Sequence, residues 1–260
     1  MKKQSTYKDI QIHYTDSGKG SVVVLLHGFL ENLSMWSFIA GALSEKYRVF
    51  AIDLLGHGAT DNLGYIHTME DQADMIYSIL RENKIRKATF IGHSMGGYIS
   101  LAFAELYPDY IKKLILLNSS SNADSSEKKI NRDRAIQAVK QNFSTFVKMS
   151  ITNLFSEKNR QRLSKEIEEV KSQALKTSLQ GVVAALEGMK VRDDREVMLH
   201  FAPYPIMLVL GTDDPVLDFE TSKKQVENTT VEFVALNGGH MSHLENTQEL
   251  FGHIVAFLKK

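Results

Sequence analysis

A serine with a glycine two positions away on each side is the feature of this chain most suggestive of chemistry. Residues 92–97 read Gly-His-Ser-Met-Gly-Gly; they follow an apolar stretch, residues 88–91, and precede a segment with helical apolar spacing, residues 98–106. This setting between a strand and a helix is typical of a nucleophile elbow. The turn is so tight that a Cβ on either flanking residue would collide with backbone. The pattern predicts that Ser94 is a nucleophile and that the Met95 amide points at a developing oxyanion.

A serine hydroxyl attacks a carbonyl group only when a base removes its proton and another group orients that base. Candidates for both roles follow later strand-like runs. Asp213 and Asp214 come directly after one run, and His240 follows the Gly-Gly pair that ends the next. Loops at the carboxyl ends of parallel strands converge on one crevice. The sequence therefore predicts that a carboxylate and an imidazole approach Ser94.

Two alternatives remain open within this arrangement. Asp213 and Asp214 compete for the role of the acid; we favour Asp214 and interpret Asp213 as a loop carboxylate. His243 competes with His240 for the role of the base, but the double glycine places His240 directly at the strand exit. We therefore favour His240.

The loop after the first buried strand offers a second oxyanion donor. Gly28 lets the backbone approach an acyl group closely, and the Phe29 amide would point into the same hole. His27 lies beside it at the strand end, and we interpret it as a brace for the loop. We likewise interpret His57 and His93 as structural residues, since His57 lies in a glycine loop and His93 points away from the serine in the elbow.

The order of the elements predicts a parallel sheet with helices on both faces. Strand-like apolar runs alternate with helical spacing in the first 118 residues, and strand-like runs return in the last 60. These runs are residues 10–14, 22–26, 49–52, 88–91, 114–117, 205–210 and 231–236, and a helix of about 247–258 closes the chain.

The stretch between the two sheet-forming parts has a different pattern. Residues 119–200 lack strand-like runs and carry three amphipathic helical patterns, so we expect a helical cap inserted into a core made of residues 1–118 and 201–260. Apolar side chains of this cap would line a substrate pocket or pack the interior of the cap. The candidate pocket residues are Leu30 in the core and Phe143, Phe146 and Met149 in the cap.

Composition excludes several classes of function. Lys and Arg total 31, as do Asp and Glu, so the formal net charge is zero and favours neither nucleic acid nor an anionic membrane. The chain has no cysteine and its nine histidines lack zinc-like spacing. No apolar run is long enough to span a bilayer, and the basic N-terminus lacks the apolar run of a signal peptide. We expect a cytoplasmic protein with a small-molecule partner and no metal or cofactor.

Taken together, the chain resembles the α/β-hydrolase fold superfamily, in its branch of esterases, lactonases and C–C hydrolases. The matching segments are residues 26–29, 53–58, 92–97, 211–214 and 239–245. The resemblance covers nearly the whole chain except the helical insert, which is similar to the cap domain of the family. It implies that Ser94, Asp214 and His240 form a catalytic triad, and that the amides of Phe29 and Met95 form the oxyanion hole.

The resemblance further implies a carboxylesterase-type serine hydrolase that acts on small to medium hydrophobic esters through an acyl-enzyme and needs no cofactor. No Arg or Lys in the sequence is marked as a ligand for a substrate carboxylate, so a C–C hydrolase or an enol-lactonase is the second hypothesis. A non-catalytic ligand-binding protein on this scaffold is the third. Ser94 argues against the haloalkane dehalogenases, which carry Asp there, and Tyr98 stands where menaquinone-pathway lyases tend to carry Arg. The oligomeric state is not encoded in any of these patterns.

Overall fold

The computed structural model describes residues 2–260, in which eight strands form one sheet. The strands are β1 (Lys2–Tyr7), β2 (Ile10–Ser17), β3 (Val22–Leu26), β4 (Arg48–Ile52), β5 (Ala88–His93), β6 (Ile111–Leu117), β7 (Ile206–Gly211) and β8 (Glu232–Leu236). Their order in the sheet is β1-β2-β4-β3-β5-β6-β7-β8; the pairs β1–β2 and β2–β4 are antiparallel, and the other pairs are parallel. The predicted mostly parallel α/β sheet is confirmed.

The central strands are apolar on both faces because helices cover both sides of the sheet. Alternate residues of a strand point to opposite faces. In β5, Phe90 joins the larger apolar core, and Ile91 joins the smaller core on the opposite face. In β3, Val24 and Val23 divide between the two cores in the same way. The two-sided burial explains why these runs lack polar alternation.

In the described part of the chain, six helices accompany the sheet and six lie between β6 and β7. The first group is α1 (Ser37–Leu43), α2 (Met69–Glu82), α3 (Met95–Leu106), α10 (Phe219–Lys224), α11 (Ser242–Glu245) and α12 (Thr247–Lys259). The second group, which we call the cap helices, is α4 (Ser126–Gln141), α5 (Phe143–Thr152), α6 (Glu157–Arg160), α7 (Ser164–Ala174), α8 (Leu179–Lys190) and α9 (Val197–Phe201). Short 3-10 helices occupy Leu33–Trp36 and Pro108–Tyr110. Within residues 2–260, none of these helices combines the length and apolar character needed to cross a membrane.

The parallel strands bring distant loops to one edge of the sheet. The carboxyl ends of β3, β5, β6, β7 and β8 all lie there, and each is followed by a loop that carries a polar side chain. The chain rejoins the sheet at the amino end of β7, but it enters the cap helices from the carboxyl edge, after β6. This edge is where the predicted site residues meet.

Candidate active site

The turn between β5 and α3 holds Ser94 in a backbone conformation that is rare for a residue other than glycine. Its φ is 49° and its ψ is −112°. A Cβ on Gly92 would lie 2.3 Å from the carbonyl oxygen of Gly96, and a Cβ on Gly96 would lie 2.3 Å from that of Leu26. The two flanking glycines are therefore required by close backbone contacts. Such a conformation costs about 1–3 kcal/mol, and strain of this kind is concentrated at functional sites.

A chain of hydrogen bonds links Ser94 to Asp214 through His240. The Ser94 hydroxyl lies 2.8 Å from His240 Nε2, and His240 Nδ1 lies 2.8 Å from Asp214 Oδ2. With the ring proton on Nδ1, His240 donates to the carboxylate and accepts from the hydroxyl. The three side chains come from positions 94, 214 and 240, and the structure brings them together as the sequence predicts.

Asp214 is held as an ionised carboxylate. Burial raises the pKa of Asp214. The electrostatic attraction and the hydrogen bond of His240, together with the hydrogen bonds from backbone amides, outweigh burial and lower the pKa. Oδ1 accepts from the amides of Val216 at 2.8 Å and Leu217 at 3.0 Å, and Oδ2 accepts from Asn118 Nδ2 at 3.0 Å. The carboxylate is thus oriented from both sides.

Asn118 is a site residue that the sequence analysis missed. It follows β6 directly, has a positive φ of 44°, and donates both to Asp214 and to the carbonyl oxygen of Gly239, at 3.1 Å. It therefore holds the acid and the loop before His240 in one network. Its position at a strand's carboxyl end, where the other site residues lie, is the signal that would have found it.

The two rival residues lie elsewhere. Asp213 points to the surface, where its half-exposed carboxylate pairs with Lys158. His243 is buried with its Nε2 3.7 Å from Glu31 Oε1, and burial lowers the pKa of His243 to about 4. The geometry thus favours Asp214 and His240 over both alternatives.

Two backbone amides near Ser94 lack an acceptor. Met95 begins α3 and Phe29 lies in the loop after β3; within residues 2–260 neither N–H donates a hydrogen bond. Phe29 and Ser94 line the same cavity. Two free N–H groups beside a nucleophile are what an oxyanion hole requires.

A buried ion pair lies behind these groups. His93 Nδ1 lies 2.6 Å from Glu31 Oε2, and His93 Nε2 lies 2.9 Å from the carbonyl oxygen of His240. Burial raises the pKa of Glu31, but the His93 charge and hydrogen bond lower it to about 2; burial lowers the pKa of His93, but Glu31 raises it above the ordinary value. Each ring nitrogen of His93 lies within hydrogen-bond distance of an acceptor oxygen, so both nitrogens carry a proton and the ring is a cation paired with the Glu31 carboxylate. A Cβ on Gly28 would lie 2.5 Å from Glu31 Oε2 and 2.7 Å from His93 Nδ1, so glycine at 28 makes room for the pair.

His27 and His57 hold their loops in place through hydrogen bonds. His27 Nδ1 lies 2.8 Å from the carbonyl oxygen of Gly28, and His27 Nε2 accepts from the amide of Leu54 at 2.9 Å. His57 Nδ1 lies 3.0 Å from the carbonyl oxygen of Leu55. Burial lowers the pKa of both rings to about 4, so both are neutral near pH 7.

A cavity of about 90 Å³ has Ser94 and His240 in its wall. Phe29 and Leu30 contribute from the core, as expected for Leu30. The cap side is formed by residues that the sequence analysis did not select, among them Leu154, Met189 and Arg132. The sequence marks no Arg or Lys as a ligand for a substrate carboxylate, but the structure places Arg132 in the cavity wall, and this position depends on how the cap helices fold over the sheet.

The three predicted cap residues of the pocket are also corrected. Helix α5 turns Val147 and Ile151 into the apolar core, which leaves Phe143 and Phe146 half-buried against that core and Met149 59% exposed. None of the three lines the cavity that contains Ser94. The apolar spacing of α5 reflects packing of the cap.

Hydrogen bonds connect the segment around the α5–α6 junction to the loop that carries His240. The amide of His240 donates to the carbonyl oxygen of Leu154 at 2.9 Å. Glu245 Oε2 accepts from Ser156 Oγ and from Asn159 Nδ2, each at 2.7 Å. The cap segment that supplies Leu154 to the cavity is thus positioned by the same loop as the candidate base.

In the described part of the chain, His, Asp and Glu form no group of three or more that could hold a metal ion.

Comparison with known proteins decides the family. The profile of the alpha/beta hydrolase fold family matches residues 21–247. The chain belongs to the alpha/beta hydrolase fold family. The family expected from the sequence motifs is thereby confirmed.

Several relatives from this family are similar over nearly the whole chain. A thermophilic esterase from Thermogutta terrifontis, solved with malate bound, is 28% identical with a TM-score of 0.92, covering 100% of this chain and 98% of that one. A putative 2-succinyl-6-hydroxy-2,4-cyclohexadiene-1-carboxylate synthase from Bacillus subtilis is 29% identical, covering 90% of this chain and 88% of its own. The 3-oxoadipate enol-lactonase 2 of Acinetobacter baylyi is 24% identical, covering 100% and 97%. The chain spans only 64% or 30% of the length of other, longer curated relatives.

Proposed function

We propose that this alpha/beta-fold hydrolase cleaves carboxylic esters through a covalent acyl-serine intermediate at Ser94. The observation that carries the proposal is the continuous hydrogen-bond chain from the Ser94 hydroxyl through His240 to Asp214, with 2.8 Å at each step. These hydrogen bonds join a nucleophile, a base and an orienting carboxylate in the geometry that acyl transfer needs.

In the acylation step, Ser94 Oγ forms a bond to the ester carbonyl carbon while its proton moves to His240 Nε2. The carbonyl π electrons move onto oxygen, and the resulting oxyanion accepts hydrogen bonds from the Phe29 and Met95 amides. The C–O bond to the alcohol then breaks, and the His240 proton goes to the departing alkoxide. Asp214 keeps the imidazole in the required tautomer and stabilises its cation.

In the deacylation step, water takes the place of the alcohol. His240 removes a proton from water as its oxygen attacks the acyl carbon, and returns that proton to Ser94 Oγ as the acyl bond breaks. The products are a carboxylic acid and the restored serine. Each amide of an oxyanion hole typically contributes about 3 kcal/mol to transition-state stabilisation.

Small substrates fit the cavity best. Its wall is largely apolar, with Phe29 and Leu30 facing Leu154 and Met189, and its volume is about 90 Å³. Small esters with apolar parts are therefore the proposed substrates.

An enol-lactonase or C–C hydrolase is the second candidate, and Arg132 favours it. No motif in the sequence marks an arginine near the nucleophile, yet Arg132 lies in the cavity wall. A relative of matching length is named as an enol-lactonase. Lactone cleavage would use the same acylation and deacylation steps at Ser94.

Turnover of 4-nitrophenyl acetate by wild type and by Ser94→Ala tests the proposal. We expect hydrolysis by wild type and a loss of about 10³-fold or more in the variant, because the nucleophile is absent. Ser78→Ala, on the outer helix α2, is the matched serine-to-alanine control and should turn over like wild type. Equal rates for wild type and Ser94→Ala would favour a ligand-binding protein.

A further inference from the structure

Two arginines share one buried carboxylate beside the cavity. Asp124, whose side chain is fully buried, accepts from Arg132 Nε at 2.9 Å and from Arg192 Nη1 at 2.6 Å. Their positive charges lower the pKa of Asp124 against the opposing effect of burial, so the carboxylate is ionised. Two cations and one anion leave the cluster with one uncompensated positive charge.

Arg192 is committed to contacts within the protein. Its Nε donates to the carbonyl oxygen of Asn122 at 3.1 Å, its Nη1 donates to that of Met189 at 2.9 Å, and its guanidinium lies over the Tyr98 ring at 4.1 Å. Its side chain is only 3% exposed. Arg192 therefore anchors Asp124 and packs on Tyr98, and it presents little to a ligand.

Arg132 is different. Its Nε donates to Asp124, but its Nη1 and Nη2 donate to no acceptor within residues 2–260. Its side chain is 22% exposed and lines the cavity that also contains Ser94 and His240. The bond to Asp124 fixes the guanidinium, so little conformational freedom is lost when the free edge binds a ligand.

The cavity contains no internal partner for that edge. Among the described residues, no Asp or Glu contributes to its wall. The other cation in the wall, His93, is already paired with Glu31. The free edge of a guanidinium matches the two oxygens of a carboxylate. A single negative charge would neutralise the cluster, whereas a phosphate monoester carries more than one.

We propose that the substrate carries a carboxylate in addition to the scissile acyl group, and that Arg132 binds this carboxylate while Ser94 attacks. The inference rests on the proposed acyl transfer at Ser94 and specifies its substrate class as acidic esters or lactones. Arg132 is then a specificity-determining residue supplied by the cap helix α4.

Matched pairs of esters test the proposal. On the acyl side, 4-nitrophenyl hydrogen adipate is compared with 4-nitrophenyl adipamate; on the alcohol side, O-acetylglycolate is compared with O-acetylglycolamide. The carboxylate member of at least one pair should have a kcat/KM about 10- to 100-fold higher in wild type, as expected for charge-assisted hydrogen bonds. Arg132→Gln should reduce that preference to within about twofold, and Arg132→Lys should retain part of it because the charge remains but the fork is lost.

Arg134→Gln is the control for charge, since Arg134 lies on the same helix, is exposed and, among the described residues, bonds only Asn131. It should keep the preference. Arg134→Gln should also hydrolyse neutral 4-nitrophenyl acetate at the wild-type rate. The preference is a ratio of two kcat/KM values within one protein, so it does not depend on equal basal rates, and an unchanged circular dichroism spectrum of the Arg132 variants shows that the fold is intact. Absence of a carboxylate preference in both pairs, or its survival in Arg132→Gln, would overturn the inference while leaving the esterase proposal in place.

If no ester is turned over, a binding measurement still tests the carboxylate site separately from the esterase proposal. Calorimetry on Ser94→Ala compares adipamate, which carries one carboxylate, with neutral adipamide, and needs no catalysis. Adipamate should bind at least about tenfold more tightly, and Ser94→Ala/Arg132→Gln should lose the difference. Equal binding of adipamate and adipamide would contradict the carboxylate site, whatever the esterase assay shows.

Discussion

Glu31 and His93 form an ion pair buried behind the candidate active site, with 2.6 Å between Glu31 Oε2 and His93 Nδ1. The same carboxylate oxygen accepts from the amide of Gly28 at 2.8 Å, and His93 Nε2 lies 2.9 Å from the carbonyl oxygen of His240. The pair therefore connects the loop that carries Phe29 with the loop that carries His240.

Replacing Glu31 by Gln would leave the His93 charge buried without a partner. Loss of one member of a buried pair typically costs about 3–5 kcal/mol, so we expect the free energy of unfolding to fall by about 3 kcal/mol. His93→Gln should have a similar effect, because it strands the carboxylate. Urea unfolding measures both losses. The double variant should lose less than the sum of the two, and strict additivity would show that the two side chains do not interact.

The fold should begin to lose stability at pH values above those at which most carboxylates titrate. Burial lowers the pKa of His27, His57 and His243 to about 4, whereas histidine in an unfolded chain titrates near 6.5. Between these values the unfolded chain binds more protons, so stability rises with pH and is lost as pH falls from about 6.5 to about 4. We expect the free energy of unfolding to be several kcal/mol lower at about pH 5 than at about pH 7.

The ion pair opposes this trend only through His93. The lowered pKa of Glu31 contributes stability that is lost only as pH falls below about 4.5 towards 2, whereas the raised pKa of His93 contributes stability that is fully present below about 6.5 and is lost as pH rises through the folded value; this single group offsets part of the effect of the three neutral histidines. Denaturant unfolding at the two pH values is the measurement. His57→Gln should flatten the dependence, because it removes one of the protons taken up on unfolding. A protein equally stable at both values would contradict the burial of these rings as neutral groups.

Asp213 and Asp214 offer a matched pair of neighbouring carboxylates. Asp214→Asn removes the acceptor for His240 Nδ1–H and favours the wrong tautomer, so kcat for an activated ester should fall by about 10³- to 10⁴-fold. Asp213→Asn changes only a surface pair with Lys158 and should alter kcat by less than about twofold. Steady-state kinetics of both variants decide between the two residues; a large loss in Asp213→Asn with a small one in Asp214→Asn would reverse the assignment.

Short-range patterns were enough to predict the fold class and to select Ser94, Asp214 and His240. Each lies in the loop that follows the carboxyl end of a strand, and the parallel order of these strands dictates that such loops share an edge. Strand β1 was missed because its residues, Lys2–Tyr7, are mostly polar and form an exposed edge paired only with β2.

Long-range contacts set the limit of that reasoning. Glu31 meets His93 across 62 positions, and nothing local marks either as charged. Arg132 reaches the cavity only because the cap helices fold over the sheet, and the same packing draws Phe143 and Phe146 away from it. Helical periodicity identifies a buried face but not which other surface that face meets.

Covalent labelling tests the acyl-transfer account most directly. A fluorophosphonate that mimics the tetrahedral intermediate should add one phosphonyl group to the wild-type chain, and peptide mass spectrometry should place it on Ser94. His240→Gln should react far more slowly, since its residue 240 cannot take the hydroxyl proton, and Ser94→Ala should not react. Labelling at another residue, or equal labelling of all three proteins, would contradict a nucleophilic Ser94.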